Sequence, residues 1–257
     1  MTTDVTTALV RRPGPRLAEG IVTHLERIPI DEQLALRQWM AYCDALGSAG
    51  WNVIEVPPAD DCPDAVFIED TVVIHKNVAV ISRPGADSRK PETVDVDKEL
   101  ESRGYSMNRV QAPGTLDGGD VLKVGDLIYV GRGGRTNADG VRQLRAILTP
   151  IGATVVAVPI HKVLHLKSAV TALPDGTIIG YPPAVDVASF YPHFRPVSEE
   201  SGAHVVLLGG SNVLMAADCP RTVLQLENLG YQPVIVDISE FQKLEGCVTC
   251  LSVRLRG

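Results

Sequence analysis

The sequence predicts an α/β fold in which units of roughly 50 residues repeat and close into a ring of blades. Three observations predict it. A helix-like stretch, a glycine and a short strand-like run recur four times: Gly50 before Trp51 to Val56, Gly104 before Tyr105 to Val110, Gly152 before Ala153 to Val158, and Gly230 before Tyr231 to Val236. Three of those helices are preceded by an aliphatic strand that runs into an arginine-bearing loop. These are Val78 to Ile81 then Arg83 to Arg89, Leu127 to Val130 then Arg132 to Arg135, and Val213 to Met215 then Asp218 to Arg221. Between Leu166 and Val197 the unit keeps its strands, but Pro182, Pro183, Pro192 and Pro196 forbid a long helix, so one repeat is degenerate.

Each element has its own warrant. In the first helix Leu36, Trp39, Met40, Cys43 and Leu46 recur at three- and four-residue spacing, which predicts a buried face, and Gly50 supplies the stop. Val141, Leu144, Ile147 and Leu148 repeat that pattern ahead of Gly152. Leu251 to Leu255 alternates as a strand does, so Cys250 is expected to open the last strand. An ordinary open α/β sheet is the competing architecture and ranks second on pattern alone. No linker or composition break interrupts the chain, which predicts a single domain over residues 1–257.

A chain of 257 residues, 45% hydrophobic and 21% charged, can bury a large core. The stretch Met1 to Gly20 has no apolar run of leader length, and nowhere do about 18 apolar residues stand together, so a soluble chain is expected, neither secreted nor membrane-spanning. Five cysteines (Cys43, Cys62, Cys219, Cys247 and Cys250) are an odd number in a chain too large to need staples, which predicts reduced thiols in a cytoplasm. A net charge of -7 argues against nucleic acid as a partner and suits a cationic ligand.

The residues that could carry chemistry have bland readings one by one. Cys247 and Cys250 form a Cys-x-x-Cys pair, but a closed zinc site needs four ligands and no second pair exists. A redox pair normally opens a helix, and here a strand follows. His165 between leucines reads as a core histidine, Asp117 to Asp120 as a turn, and Asp64 to Asp70 as a solvated strand.

In order along the chain, however, the segments PDAVFIED, SRPGADSR, LDGGD, GRGGRTN and LHLK, with Cys250 before a C-terminal strand, resemble the dimethylarginine dimethylaminohydrolase family of guanidino-group-modifying enzymes. The resemblance runs from Asp64 to Cys250. It implies a five-bladed β/α propeller of pseudo-repeated ββαβ units. It also implies Cys250 as nucleophile, His165 as proton donor and later base, and Asp117 as the carboxylate gripping the guanidinium. Asp64 would contact the guanidinium or alkyl end, Glu69 and Asp70 would order the site or hold the α-amino group, and Arg89 and Arg135 would hold the α-carboxylate. Carbonyls near Ile21 and Leu244 would face the ligand, and Phe67 could set apolar surface against the methylated end. Arg83 and Arg132 are expected to be loop residues. The implied partner is a small methylated arginine, with no metal or cofactor; a homodimer is compatible with the sequence. The chain departs from its relatives at Gly202 to Val206, where an Asn-Cys pair is common, and in carrying Cys247.

The chemistry needs this set. Guanidinium stays protonated at neutral pH, so it must be held by carboxylates, attacked by a thiolate and relieved of an amine by an acid. Arginine deiminase shares these parts but is longer, with a helical insertion for which this chain has no room. Amidinotransferases are larger too, and a non-catalytic cationic amino-acid-binding protein would need no thiol.

Overall fold

The computed structural model describes residues 6–256; Met1 to Val5 and Gly257, the outer edges of the expected domain, lie outside the described residues. The chain opens with β1 (Thr7–Val10), α1 (Glu32–Ser48) and β2 (Asn52–Glu55). A second unit holds β3 (Val72–His75), β4 (Val78–Ile81), α2 (Val96–Ser102) and β5 (Ser106–Arg109). A third holds β6 (Val121–Val124), β7 (Leu127–Arg132), α3 (Ala138–Leu148) and β8 (Thr154–Pro159). The fourth has β9 (Val170–Ala172), β10 (Ile178–Gly180) and β11 (Phe194–Pro196) with no α-helix, as the prolines predict. Then come β12 (Val206–Gly209), β13 (Asn212–Ala216), α4 (Pro220–Asn228), β14 (Gln232–Val236), α5 (Ser239–Gln242) and β15 (Val253–Leu255).

These strands make five separate three-stranded sheets, the blades of the expected propeller. In four of them two strands pair antiparallel and the third joins parallel after a crossover, as with Val72↔Ile81 and Val78↔Ser106. The fifth blade has the same pattern across the two ends of the chain: β15 pairs antiparallel with β1 (Leu9↔Val253), and β1 pairs parallel with β2 (Leu9↔Ile54). The helices stop where the sequence predicts. Gly50, Gly104, Gly152 and Gly230 all take left-handed backbone, with φ of 87°, 81°, 96° and 88°, a conformation that costs glycine little.

The third strand of each blade is the least buried: β3 and β4 are buried throughout, whereas β2 and β5 are exposed at both ends. The apolar cores lie between blades as well as under the helices: Leu9 and Val253 pack with Val72, Ile81 and Leu100. One helix face differs from expectation. Met40 is 51% exposed, because α1 turns Ala35, Trp39, Tyr42 and Leu46 inward and Met40 projects roughly 100° around from Trp39. No described helix is long and apolar enough to cross a membrane.

Candidate active site

The repeat sets the chemistry in equivalent places. Four blades are entered through a single 3-10 turn just before their first strand: Ile68–Thr71 before β3, Gly118–Asp120 before β6, Leu166–Ser168 before β9 and Ser201–Ala203 before β12. Asp117 and His165 each stand immediately before such a turn, and Glu69 and Asp70 stand within one. Cys250 has the matching place ahead of β15, in a turn closed by its N–H donating to the Cys247 carbonyl at 3.0 Å. It thus lies three residues before the strand it was expected to open, which begins at Val253. Arg89 lies in a 3-10 helix (Asp87–Thr93) after β4, and Arg135 in the loop after β7.

One narrow cavity gathers most of these groups. Ile21, Asp64, Phe67, Asp70, Arg89, Arg135, His165, Leu244 and Cys250 all line it. Leu164, Glu245 and Gly246 complete the wall, and sequence reasoning missed them. Glu245 takes left-handed backbone (φ 60°), and its Oε1 accepts from the N–H groups of Thr23, His24 and Leu25, so it ties the Ile21 segment to the residues ahead of Cys250. Arg83 and Arg132 do not line the cavity; Arg83 donates to the Gly114 carbonyl. A larger hollow of about 800 Å³ sits at the hairpin ends of β3–β4 and β6–β7 and contains no cysteine.

Asp117 is placed differently from the other site residues. It is fully buried and does not line the cavity; its Oδ2 accepts from His165 Nε2 at 2.9 Å and its Oδ1 from the Gly85 N–H at 2.8 Å. Its short side chain reaches the imidazole, and the same Oδ2 lies 3.8 Å from Arg135 Nη1. Asp70 Oδ1 lies 3.9 Å from the same Nε2 and accepts from the Gly119 N–H at 2.7 Å. Only glycine fits at 119, since a Cβ there would stand 2.6 Å from Asp70 Oδ1 and 2.8 Å from His165 Nδ1.

The electrostatics follow from these contacts. Burial works against a charged His165, but Asp70 and the hydrogen bond to Asp117 outweigh it and raise the imidazole to about 9, so it is protonated at neutral pH. Burial also opposes the Asp70 carboxylate, yet His165 and Arg89 hold it well below the usual carboxylate range. Asp64 accepts from the Ile21 N–H at 3.0 Å, and burial pushes its carboxyl up. Contact with Cys247, burial and the charges of Glu69 and Asp70 push the Cys250 thiol well up. The same contact, with Cys250 as donor, pulls Cys247 down, helped by His204.

The two arginines differ. Arg89 is 3% exposed, donates through Nη1 to Asp70 Oδ2 at 2.7 Å, and reaches Glu92 through Nε and Nη2. Its remaining Nη2 contacts are the carbonyls of Asp64 and Phe67, so nearly all of its donors are engaged. Arg135 Nη1 is buried without a hydrogen-bond partner, 3.8 Å from Asp117 Oδ2. Glu69 lies behind the cavity, where its Oε1 accepts from Arg254 Nη2 and Lys167 Nζ at 2.6 Å each, and its backbone N–H donates to the Cys250 carbonyl. Neither Arg254 nor Lys167 was foreseen; both lie far from Glu69 along the chain. Asp70, Asp117 and His165 bring three metal-competent atoms within 4.8 Å of one another. Those atoms already engage one another, Arg89 and Gly119, which makes the cluster an ion-pair network around an imidazole.

No family model matches the chain. It is 68% identical over 249 residues to the N(G),N(G)-dimethylarginine dimethylaminohydrolase of Streptomyces coelicolor, covering 97% of this chain and 96% of that one. Among solved structures, a cysteine-to-serine variant of the Pseudomonas aeruginosa enzyme complexed with citrulline superposes with a TM-score of 0.91 at 34% identity, covering 98% of this chain and all of that one. A histidine-to-glycine variant of a dimethylarginine dimethylaminohydrolase, an adduct with S-methyl-L-thiocitrulline, also gives 0.91 at 34% identity, covering 97% and 99%.

Proposed function

The chain belongs to the dimethylarginine dimethylaminohydrolase family, and from that premise we propose that it hydrolyses Nω-methylated arginine to citrulline and an alkylamine through a covalent thiouronium on Cys250. The observation that carries this reading is one cavity walled at once by a thiol, a protonated imidazole and buried carboxylates. Asp64 and Asp70 hold the guanidinium without neutralising it, which keeps its carbon attackable. The Cys250 sulfur adds to that carbon. His165, charged before the reaction, gives its proton to the departing amine and then, neutral, takes one from the water that hydrolyses the thiouronium. Asp117 acts through His165 as a positioning residue, and Glu69, gripped by Arg254 and Lys167, orders the backbone beside Cys250. The described chain works as one catalytic domain in a reducing, cytoplasmic compartment.

Arg135 receives the α-carboxylate, and its unpartnered Nη1 supports that role; Arg89, fixed by Asp70 and Glu92, contributes chiefly charge. Arg135→Ala should therefore raise KM for dimethylarginine roughly 10- to 100-fold, the equivalent of about 1.5–3 kcal/mol for a hydrogen bond to a charged group, while kcat changes less. A substrate lacking the carboxylate should lose much less. Equal losses for both substrates would remove Arg135 from that role.

The assignment as a whole is tested by incubation with asymmetric dimethylarginine, monomethylarginine, arginine and agmatine, reading citrulline or carbamoyl product. Phe67, edge-on to Phe241 at 6.3 Å and part of the cavity wall, offers apolar surface to the methyl groups. Dimethylarginine should lead arginine by about 1–3 kcal/mol in kcat/KM. Arginine turned over as well or better would make this a deiminase.

A further inference from the structure

The Cys247 thiol has no part in the chemistry above, yet its sulfur lies 3.3 Å from that of Cys250. The backbone bond from the Cys250 N–H to the Cys247 carbonyl closes a tight turn between them, the arrangement that brings two α-carbons within about 7 Å and so within the span of a disulfide. No helix is needed for that closeness. Thr249 Oγ1 lies 3.2 Å from the Cys247 sulfur, so two side chains can donate to it. Cys247 also faces different space: it lines a cavity of about 290 Å³ with His24, Lys162, Ser168 and His204, whereas Cys250 lines the substrate cavity. Leu164, Glu245 and Gly246 stand in both walls. A small neutral oxidant can therefore reach Cys247 without passing through the substrate site.

We propose that Cys247 is an oxidation site for hydrogen peroxide, and that its oxidised sulfur captures Cys250 in a reversible disulfide that switches hydrolysis off. In the first step the Cys247 thiolate attacks one peroxide oxygen. An S–O bond forms, the O–O bond breaks, and the departing hydroxide takes up a proton to become water. Cys250 then loses its proton and attacks the Cys247 sulfur; the S–S bond forms, the S–O bond breaks, and the second hydroxide leaves as water with that proton. Two thiols and one peroxide give one disulfide and two waters, and the pair's two electrons reduce the peroxide. A dithiol such as dithiothreitol reverses it. The site is a pair, with Cys247 as the reacting thiol and Cys250 as the resolving one. The Thr249 hydroxyl beside Cys247 and Asp70 in the same cavity wall as Cys250 give that order its direction.

The loss of activity rests on Cys250 being the nucleophile, but the oxidation itself can be read separately. The purified full chain is treated with hydrogen peroxide and blocked with an alkylating reagent in denaturant, then digested with trypsin, which leaves both cysteines in the peptide from Leu244 to Arg254. Expected is a peptide lighter by two hydrogens than the dithiol form and refractory to alkylation, with turnover lost in parallel and both restored by dithiothreitol. Cys247→Ser, normalised to its own untreated rate, should lose turnover at least about 10-fold more slowly, because the protonated thiol left behind is a poor nucleophile towards peroxide. Cys250→Ser, which needs no activity to be read, should accumulate sulfenic acid on Cys247 that dimedone labels. An unlinked peptide in inactivated wild-type protein, Cys247→Ser inactivated as fast as wild type, or no dimedone adduct in Cys250→Ser would each overturn the proposal. A linked peptide with turnover intact would overturn both the switch and the nucleophile assignment.

Discussion

Cys250→Ser should lower citrulline formation from dimethylarginine by at least about 10⁴-fold, with the protein still folded by circular dichroism. A hydroxyl in that place is too weak a nucleophile for a resonance-stabilised carbon, and His165, protonated at neutrality, is poised to give a proton rather than take one from a serine. Single replacements of Cys43, Cys62 or Cys219 should leave turnover near wild type: none of them lines the substrate cavity, and burial pushes Cys43 and Cys219 to about 12. Substantial turnover by Cys250→Ser would end the covalent mechanism. The raised Cys250 thiol also bears on activation, because a bound guanidinium cation offsets the field of Asp70 and Glu69. A non-reactive cationic arginine analogue should therefore shift the onset of thiolate absorbance to lower pH. A thiol of Cys250 already ionised well below neutrality in the free protein would remove that activation step while leaving the nucleophile in place.

Asp117→Asn should reduce kcat by roughly 10²- to 10⁴-fold with KM little changed, the size expected when a general acid loses the carboxylate that orients it. The effect is on His165 and not on guanidinium binding, which separates this outcome from that of a substrate-gripping residue. The pH profile adds a second reading. His165 acts from its protonated form, so activity should fall as pH rises through the imidazole pKa, about 9 in the free protein. Without the Asp117 hydrogen bond, one of the causes raising that value is gone, and the basic limb should move to lower pH. Asp126→Asn serves as the comparison. That carboxylate pairs with Lys76 and His75 at the outer β6–β7 hairpin and should alter neither kcat nor the limb. Near-wild-type turnover by Asp117→Asn would sink the positioning role.

The parts of this molecule legible in its sequence are those governed by local rules. Glycine stops, helical faces and aliphatic runs gave the blades, and prolines gave the one without a helix. The site residues were legible through the order of short segments, and Asp64, Asp70, Arg89, Arg135, His165 and Cys250 do meet in one cavity. What was hidden depends on contacts between blades. Nothing near Asp117 tells that its oxygens meet an imidazole 48 positions on, and nothing near Glu69 points to Arg254, 185 positions away. Met40 departs from its pattern for a different reason: three- and four-residue spacing fits two adjoining stripes of one helix, and only the packed core selects between them. The Cys-x-x-Cys spacing does not by itself tell that the two sulfurs meet, because here a turn and not a helix brings them together.

The pairing of β15 with β1 has a consequence in time. The strand that closes the ring is synthesised after all the others described here, and it begins three residues after the proposed nucleophile. While the chain is emerging from the ribosome, His165, its carboxylates and both arginines can be assembled, but the thiol has no wall to face until β15 docks beside β1. Catalytic competence therefore waits on the docking of β15 against β1, and a chain truncated before β15 should be a silent one.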